Sequence, residues 1–207
     1  MKSTMLKNDF ITACSKYSSD TNSFTLWEDI TVKYHGKKRY YHTLNHLEHM
    51  YSELCACKGA IQDWPAVIFA LVYHDIIYKA TAKDNEEQSA EYARKVLSKI
   101  GYPNDKINLC EEIILATKSH TISRNNSINI FTDADLAILG SSWEKYESYF
   151  KNVRKEYAVY PDILYKPGRK KVLQHFLDME NIFKTAFFRD KYETPARNNI
   201  KAELNLL

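Results

Sequence analysis

The chain has 207 residues, a net charge of +3 and 44% apolar residues, with only five glycines and five prolines. This composition suits one folded domain with long elements and short connections. Charges of both signs are interspersed, so there is no strong signal for nucleic-acid binding. The longest apolar run, 66–73, is too short to span a bilayer, and segment 1–14 lacks the apolar stretch of a secretory signal. We therefore expect a cytoplasmic protein that does not enter membranes.

The four cysteines form neither a CxxC pair nor a zinc-finger spacing. They are Cys14, Cys55, Cys57 and Cys110. We expect unpaired thiols in a reducing compartment and no thiolate metal site.

The first informative segment in chain order is "RYYHTLNHLEHMYSEL", residues 39–54. Its histidines, His42, His46 and His49, are spaced i, i+4, i+7, which places them within roughly 60° of one another on a helix. His46 lies nearest the apolar arc that contains Met50. We therefore expect His46 to turn inward, with His42 as the alternative.

The next predicted helix covers residues 65–78, with Pro65 in its first turn. It contains "FALVYHDIIY", in which His74 and Asp75 are the only ionisable acid or base of the helix apart from tyrosine. An unpaired buried carboxylate is costly, so a cation or a strong donor is expected beside Asp75.

Two further helices are predicted over 85–100, ending at Gly101, and from Asn104 to the region of His120. Glu86 shares a stripe with Ala90 and other apolar residues, whereas Glu87 points about 100° away. Glu86 is therefore predicted to face the core, and His120 to lie at the end of its helix.

In "FTDADLAIL", residues 131–139, both aspartates have apolar neighbours. Asp135 shares a stripe with Phe131 and Ile138, and Asp133 shares one with Leu136. Asp135 is the stronger candidate for a cation ligand and Asp133 the weaker one.

The C-terminal third continues the helical pattern. Ser141 and Glu144 have capping-box spacing before a helix to about residue 158, and further helices are predicted over 169–188 and 194–205. We therefore predict an all-α, single-domain protein of about eight or nine helices, with a core over about 25–160 and a helical extension over 161–207. Inward histidines and aspartates on three regions form an oxygen and imidazole ligand set suited to Mn²⁺, Mg²⁺, Fe²⁺, Co²⁺ or Zn²⁺.

The order His, His–Asp, Asp on helices resembles the HD superfamily of metal-dependent phosphohydrolases, and more closely its small, largely uncharacterised branch of predicted HD phosphohydrolases. The resemblance covers about residues 25–205. The segments that carry it are "RYYHTLNHLEHM", "FALVYHDIIY", "DNEEQSA", "ILATKSH", "TDADLAILG", "VRKEYAVYP", "GRKKVLQHFL" and "ETPARNNIKAEL".

The resemblance implies an HD-type helical bundle that binds one divalent metal ion and hydrolyses a small phosphorylated substrate, with nucleotides among the candidates. It implies that the metal ligands are His46, His74, Asp75 and Asp135, with His42 and Asp133 as less certain alternatives. It also implies catalytic roles for Asp75, Glu86 and His120. Family members with two metals use two further histidines between the HD pair and the last aspartate. Here that interval holds only His120, which favours one metal or a second site completed by Glu86 or by substrate.

Four cations are candidates for binding the phosphate group: Arg39, Lys118, Arg154 and Arg169. Two alternatives to the hydrolase remain open at this point. One is a non-catalytic metal- or ligand-binding module of HD fold, and the other is an HD-type iron oxygenase, which the missing histidines disfavour.

Overall fold

The structure, a computed structural model, describes residues 2–207, and these contain ten α-helices and no β-strand. The predicted all-α class is confirmed, with slightly more helices than the eight or nine expected. The helices are α1 (Lys2–Cys14), α2 (Asp20–Tyr34), α3 (Leu44–Ala56), α4 (Trp64–Tyr73), α5 (Asn85–Lys99), α6 (Asn104–Ala116), α7 (Asn126–Leu136), α8 (Trp143–Glu156), α9 (Asp162–Asp178) and α10 (Ala186–Leu206). Short 3₁₀ turns occupy Lys58–Ala60 and Ala137–Gly140.

Helix α4 lies at the centre of the protein. Every residue from Ala66 to Tyr73 is buried, so the helix is apolar on all sides. It packs against α1, α3, α5 and α6. The buried apolar core is continuous from Leu6 in α1 to Ile200 in α10, so the first and last helices pack on the same core as α4.

Helix α4 ends at Tyr73, earlier than the predicted limit at residue 78. Arg39 donates hydrogen bonds to the carbonyl oxygens of Asp75, at 2.7 Å, and Ile76, at 3.0 Å. The Ser89 hydroxyl accepts the N–H of Ile77 at 3.1 Å. These bonds satisfy backbone groups at the helix end, so the chain turns immediately after the last buried residues.

Helix α3 begins at Leu44, after Thr43 at the N-cap position. His42 therefore lies before the helix, and the helical spacing argument does not apply to it. His46, in the first turn of α3, is 4% exposed, as expected for an inward-facing histidine.

The C-terminal helix boundaries differ from the prediction. Helix α9 begins at Asp162 and includes Pro167, and α10 runs from Ala186 through Pro195. The break between them is held by two carboxylates. Glu193 accepts the N–H groups of Ile182 and Phe183, at 3.0 and 3.1 Å, and Asp133 accepts those of the next two residues. These side-chain bonds replace helical ones, so residues 179–185 leave the helix.

Two glycines meet specific backbone demands. Gly101 follows α5 with φ +77°, as its predicted position after the helix requires. A Cβ at Gly140 would lie 2.6 Å from the carbonyl oxygen of Tyr192, so only glycine permits α10 to pack this closely on the turn after α7. The predicted capping box at Ser141 is absent, because Ser142 occupies the N-cap position of α8.

No helix within residues 2–207 combines the length and the apolar character that crossing a bilayer requires.

Candidate metal centre

Four side chains from three helical regions meet at one point. His46 comes from the first turn of α3, His74 and Asp75 from the end of α4, and Asp135 from the last turn of α7. We call these residues the ligand group. Both imidazoles are buried, while the two carboxylates are 17% and 16% exposed, so the group opens to solvent on its carboxylate side.

The distances within the ligand group suit a single ion. Nε2 of His46 lies 3.2 Å from Nε2 of His74, and Oδ2 of Asp75 lies 3.7 and 3.1 Å from these nitrogens, respectively. Oδ1 of Asp135 lies 3.3 Å from Nε2 of His46 and 4.0 Å from Nε2 of His74. Ligands bonded at about 2.1 Å to one ion stand ~3.0–3.5 Å apart when adjacent and ~4.2 Å apart when opposite. The separations between the two histidines, and from the histidines to each aspartate, fall in this range. The donor atoms of His46, His74 and Asp75 all lie within 4.8 Å of one another, and Asp135 is not part of this compact set.

The hydrogen bonds of His74 orient its ring for ligation. Its Nδ1 lies 2.9 Å from the carbonyl oxygen of Leu71, and a carbonyl can only accept. In the neutral ring, Nδ1 therefore carries the proton and Nε2 directs its lone pair at the ligand group. A backbone acceptor on the distal nitrogen is the usual support of a metal-binding histidine.

Charge within the ligand group also favours a cation. Burial alone raises the pKa of Asp75, but the neighbouring histidines, His74 first, outweigh it and hold that pKa below its usual value. Burial lowers the pKa of His74, and Asp75 outweighs it and raises the pKa to about 9. Two ionised carboxylates outnumber the one imidazolium of His74, so the group without an ion is still net anionic, and a divalent ion would displace the Nε2 proton of His74. Oxygen plus imidazole donors suit a hard or borderline divalent ion. The residues present therefore fit such an ion.

His120 supports Asp135 instead of joining the ligand group directly. Its Nε2 lies 2.8 Å from Oδ2 of Asp135, leaving Oδ1 directed at the ligand group. Burial raises the pKa of Asp135, but the bonds from His120 and His46 outweigh it and hold that pKa well below its usual value. The backbone of His120 has φ 51°, a left-handed conformation that is uncommon for a side-chain-bearing residue. Such strained backbone is often found at functional sites.

Asp133, the weaker alternative ligand, does not reach the ligand group. Its carboxylate is fully buried on another side of α7, where it accepts the N–H groups of Lys184 and Thr185, each at 2.8 Å. The Thr185 hydroxyl donates to it at 2.8 Å, and Nζ of Lys184 lies 3.5 Å away. Asp133 and Asp135 are two residues apart, about 200° around the helix, so only one of them can face the site.

His42, the alternative to His46, is held by a buried glutamate. Its Nδ1 lies 2.7 Å from Oε2 of Glu156, and its ring stacks on Tyr78 at 4.1 Å. Oε1 of Glu156 also accepts the backbone N–H groups of residues 40–42. His42 therefore lines the same cavity as His74, Asp75 and Asp135, while its Nδ1 is bonded to Glu156.

Glu86 and Glu87 differ as the helical-face argument predicted. Glu86 is partly buried and lines the cavity above the ligand group, whereas Glu87 is exposed and pairs with Lys118. Lys118 also lines the cavity, and its Nζ donates to the carbonyl oxygen of Lys83 at 3.0 Å. These residues form the polar rim of the site.

The three arginine candidates for phosphate binding have other partners. Arg39 holds the end of α4, and Arg154 binds Asp162 and the carbonyl oxygens of Tyr157 and Tyr160. Arg169 lines the cavity, but its guanidinium is buried in a two-point pair with Glu203, at 2.7 and 2.9 Å. Lys118 also has partners, Glu87 and the carbonyl oxygen of Lys83, but they lie at the exposed rim, so Lys118 is the strongest of the four candidates for contacting a phosphate.

The ligand group opens into a cavity of about 640 Å³. Its polar lining includes three residues of the ligand group, His74, Asp75 and Asp135, together with Glu86, His120 and the lysines at 83 and 118. Its other side is aromatic, with side chains from the 41–42 segment, α8 and α9.

With the geometry established, the chain was compared with known proteins. No protein-family model, no curated protein and no solved structure matches it.

Sequence reasoning missed Glu156 and the aromatic side of the cavity. Two signals could have indicated Glu156. It stands three residues after the buried Val153 on the same face, and it places a carboxylate in the last turn of α8, where the helix dipole disfavours one. The four tyrosines at 149, 157, 160 and 165 form a dense cluster in the printed sequence, but their convergence depends on how α9 folds back against α8.

Proposed function

We propose that the protein is a metal-dependent phosphohydrolase acting on a small phosphoester, with nucleotides among the candidate substrates. The observation that carries this proposal is the ligand group, His46, His74, Asp75 and Asp135, three of whose members line a cavity large enough for a small molecule. The order of these residues in the chain resembles the HD superfamily, and their spatial convergence supports the same interpretation.

A divalent ion held by the ligand group would polarise a phosphoryl oxygen and acidify a water molecule. Hydrolysis breaks the bond between phosphorus and the leaving oxygen, forms one between phosphorus and the water oxygen, and delivers a proton to the leaving group. Asp75, partly exposed at the site, can accept a hydrogen bond from the attacking water. Glu86, at the cavity rim, is placed to protonate the leaving oxygen.

The other polar residues of the cavity position these groups. His120 fixes Asp135 through the 2.8 Å bond, so that its free oxygen faces the ligand group. Lys118 and Lys83 bring positive charge to the entrance, where an anionic phosphoester would arrive.

Metal analysis of purified variants tests this proposal. We expect about one divalent ion per chain, lost on His74→Ala and on Asp75→Ala, because each removes a donor of the ligand group. Cys55→Ala and Cys57→Ala serve as controls and should keep the ion, since thiols take no part in the site. Circular dichroism checks that each variant remains helical.

Activity assays with Mn²⁺ or Co²⁺ and a panel of phosphoesters complete the test. Turnover that is lost in Asp75→Ala with the helical spectrum retained supports the hydrolase. A metal-loaded chain that hydrolyses no phosphoester would favour the non-catalytic binding module, and two irons per chain would favour the oxygenase. Loss of metal in the cysteine variants, with metal retained in His74→Ala, would place the site elsewhere.

A further inference from the structure

The cavity beside the ligand group is larger than a phosphate group requires. Its volume of about 640 Å³ lies in the range of pockets that enclose a whole small-molecule ligand. Beside the polar residues, much of the lining is aromatic or apolar. The remaining space is therefore available to the rest of the substrate, beyond its phosphate group.

Aromatic rings line that remaining space. We call Tyr41, Tyr149, Tyr157, Tyr160 and Tyr165 the tyrosine wall. Each of these residues is partly exposed, so the rings are accessible from the cavity.

The tyrosine wall begins at the ligand group itself. The ring of Tyr41 lies 4.9 Å from the ring of His46 and 4.6 Å from that of Tyr149. Farther out, the ring of Tyr157 lies 5.9 Å from Tyr165 and 6.2 Å from Tyr160. A molecule whose phosphate sits at the ligand group can thus place its other end against this wall.

The tyrosine wall offers little charge to a ligand. Arg169 stacks near Tyr149, at 5.4 Å, but its charge is neutralised by the buried carboxylate of Glu203. Arg154 lies 4.6 Å from the ring of Tyr165 and is paired with Asp162. Apolar residues continue the lining between the rings: Leu139, Val153, Leu164, Val172 and Phe176. A second anionic group would find no unpaired arginine here.

We infer that the substrate carries a flat ring on the alcohol side of its phosphoester and that this ring packs against the tyrosine wall. This inference rests on the proposed function, because it takes the phosphate to bind at the ligand group. Flat rings gain from stacked and edge-to-face contacts with tyrosine in addition to the burial of apolar area. The hydroxyl groups of the wall can bind polar atoms at the edge of such a ring.

Binding of two phosphonates that resist hydrolysis tests the inference without requiring turnover. Calorimetry on the Mn²⁺-loaded full chain should show benzylphosphonate binding at least ~10-fold more tightly than ethylphosphonate, because only the former carries a ring. Tyr157→Leu and Tyr165→Leu should each reduce this ratio by ~3- to 10-fold. Tyr157→Phe, which keeps the ring, should preserve the ratio.

Tyr17→Leu is the matched control, because Tyr17 is a partly exposed tyrosine that packs on Tyr102 and does not line the cavity. It should leave the ratio unchanged. Equal affinities for the two phosphonates, failure of both to bind, or a ratio that the wall variants leave unchanged would overturn the inference.

Turnover assays separate this inference from the proposed function. Benzyl phosphate and ethyl phosphate are both esters of primary alcohols, so a preference for the former in kcat/KM reports the ring. If the benzyl and ethyl compounds are bound and turned over equally, the proposed hydrolase function stands and the inference of a ring in the substrate is wrong. If benzylphosphonate binds selectively but no ester is turned over, the inference of a ring-binding wall stands and the proposed hydrolase function is wrong. AMP against ribose 5-phosphate, assayed in the same way, shows whether a nucleobase is the preferred ring.

Discussion

The carboxylate of Glu156 is the most heavily hydrogen-bonded acid near the cavity. It accepts three backbone N–H groups of residues 40–42, the hydroxyl of Tyr78 at 2.9 Å and Nδ1 of His42 at 2.7 Å. These bonds attach the segment before α3 to the end of α8. Because His42 and Tyr78 both line the cavity, Glu156 fixes part of the cavity surface without lining it.

This arrangement predicts an acid-dependent contribution to stability. Burial alone raises the pKa of Glu156, but the bond to His42, together with the backbone N–H groups, outweighs it and lowers the pKa to about 2. A carboxylate with a lowered folded pKa stabilises the fold above its unfolded value, about 4.5, and this contribution is lost as the pH falls toward 2.

We therefore expect Glu156→Gln to lower the free energy of unfolding by about 1–3 kcal/mol at pH 6, measured by urea denaturation. The difference from the wild type should shrink as the pH is lowered below about 4.5. Glu147→Gln, on the exposed part of the same helix, is the control and should change stability little. Parallel stability curves for the wild type and Glu156→Gln would contradict the account of Glu156.

Glu86 and Glu87 provide a comparison between two adjacent residues. Glu86→Gln should keep the metal ion but slow turnover by on the order of 10²-fold, because Glu86 lines the cavity and can transfer a proton. Glu87→Gln should remain close to wild type in kcat, since Glu87 is exposed and does not line the cavity, and an effect through its partner Lys118 would appear in KM. Steady-state kinetics measures both, and equal effects would show that position in the cavity does not matter.

Single-residue orientation was predictable where a helix was regular. The inward positions of His46 and Glu86 follow from helical spacing, because their neighbours at i+4 are apolar and buried. His42 was not predictable in this way, since it precedes α3 and its position depends on Glu156, more than 100 residues later. Local periodicity contains no information about such a partner.

At the scale of elements, α7 carries two aspartates with different tasks. Asp135 faces the histidines of the ligand group. Asp133 accepts the N–H groups of Lys184 and Thr185 and so anchors the segment that leads into α10. The position of α7 therefore depends on contacts on both of its sides.

Replacing Asp133 should affect the fold more than the metal. Asp133→Ala removes the acceptor of two part-buried N–H groups and the partner of the buried Lys184 side chain, so we expect a loss of about 3 kcal/mol in the free energy of unfolding. Asp133→Asn, which keeps one carbonyl oxygen, should lose less. Folded Asp133→Ala should still bind about one ion per chain, whereas Asp135→Ala should bind none. If Asp135→Ala kept the ion and folded Asp133→Ala lost it, the roles assigned to the two aspartates would be wrong.

Element boundaries were predictable where the signal lay within the element. Gly101 ends α5 as expected, because its positive φ is a local property. The breaks at residues 74–78 and 179–185 were not, since they depend on Arg39, Asp133 and Glu193, which bind the backbone from other elements. Helix content followed from the sequence, and helix ends followed from tertiary contacts.

For the molecule as a whole, the ligand group joins residues from α3, α4 and α7 that are far apart in the chain. An ion that binds this arrangement does not bind the unfolded chain equally well, so it stabilises the folded state. Mn²⁺ at 100 times its Kd should add about 2.7 kcal/mol to the free energy of unfolding. This corresponds to a rise of ~5–10 °C in Tm for a chain of this size.

Thermal denaturation with Mn²⁺ and after chelation measures this rise. His74→Ala should show no dependence on Mn²⁺, and Cys55→Ala should behave as wild type. A wild-type Tm that is the same with and without the ion would contradict binding at the ligand group.

The two-sided role of α7 has a consequence for synthesis on the ribosome. A nascent chain that ends before residue 184 has already made all four residues of the ligand group, yet Asp133 still lacks the N–H groups that it will accept. Burying the Asp133 carboxylate without these N–H groups is unfavourable, so α7 is not expected to take its final position before they are available. We therefore expect the four residues of the ligand group to come together only after the segment that leads into α10 has been made.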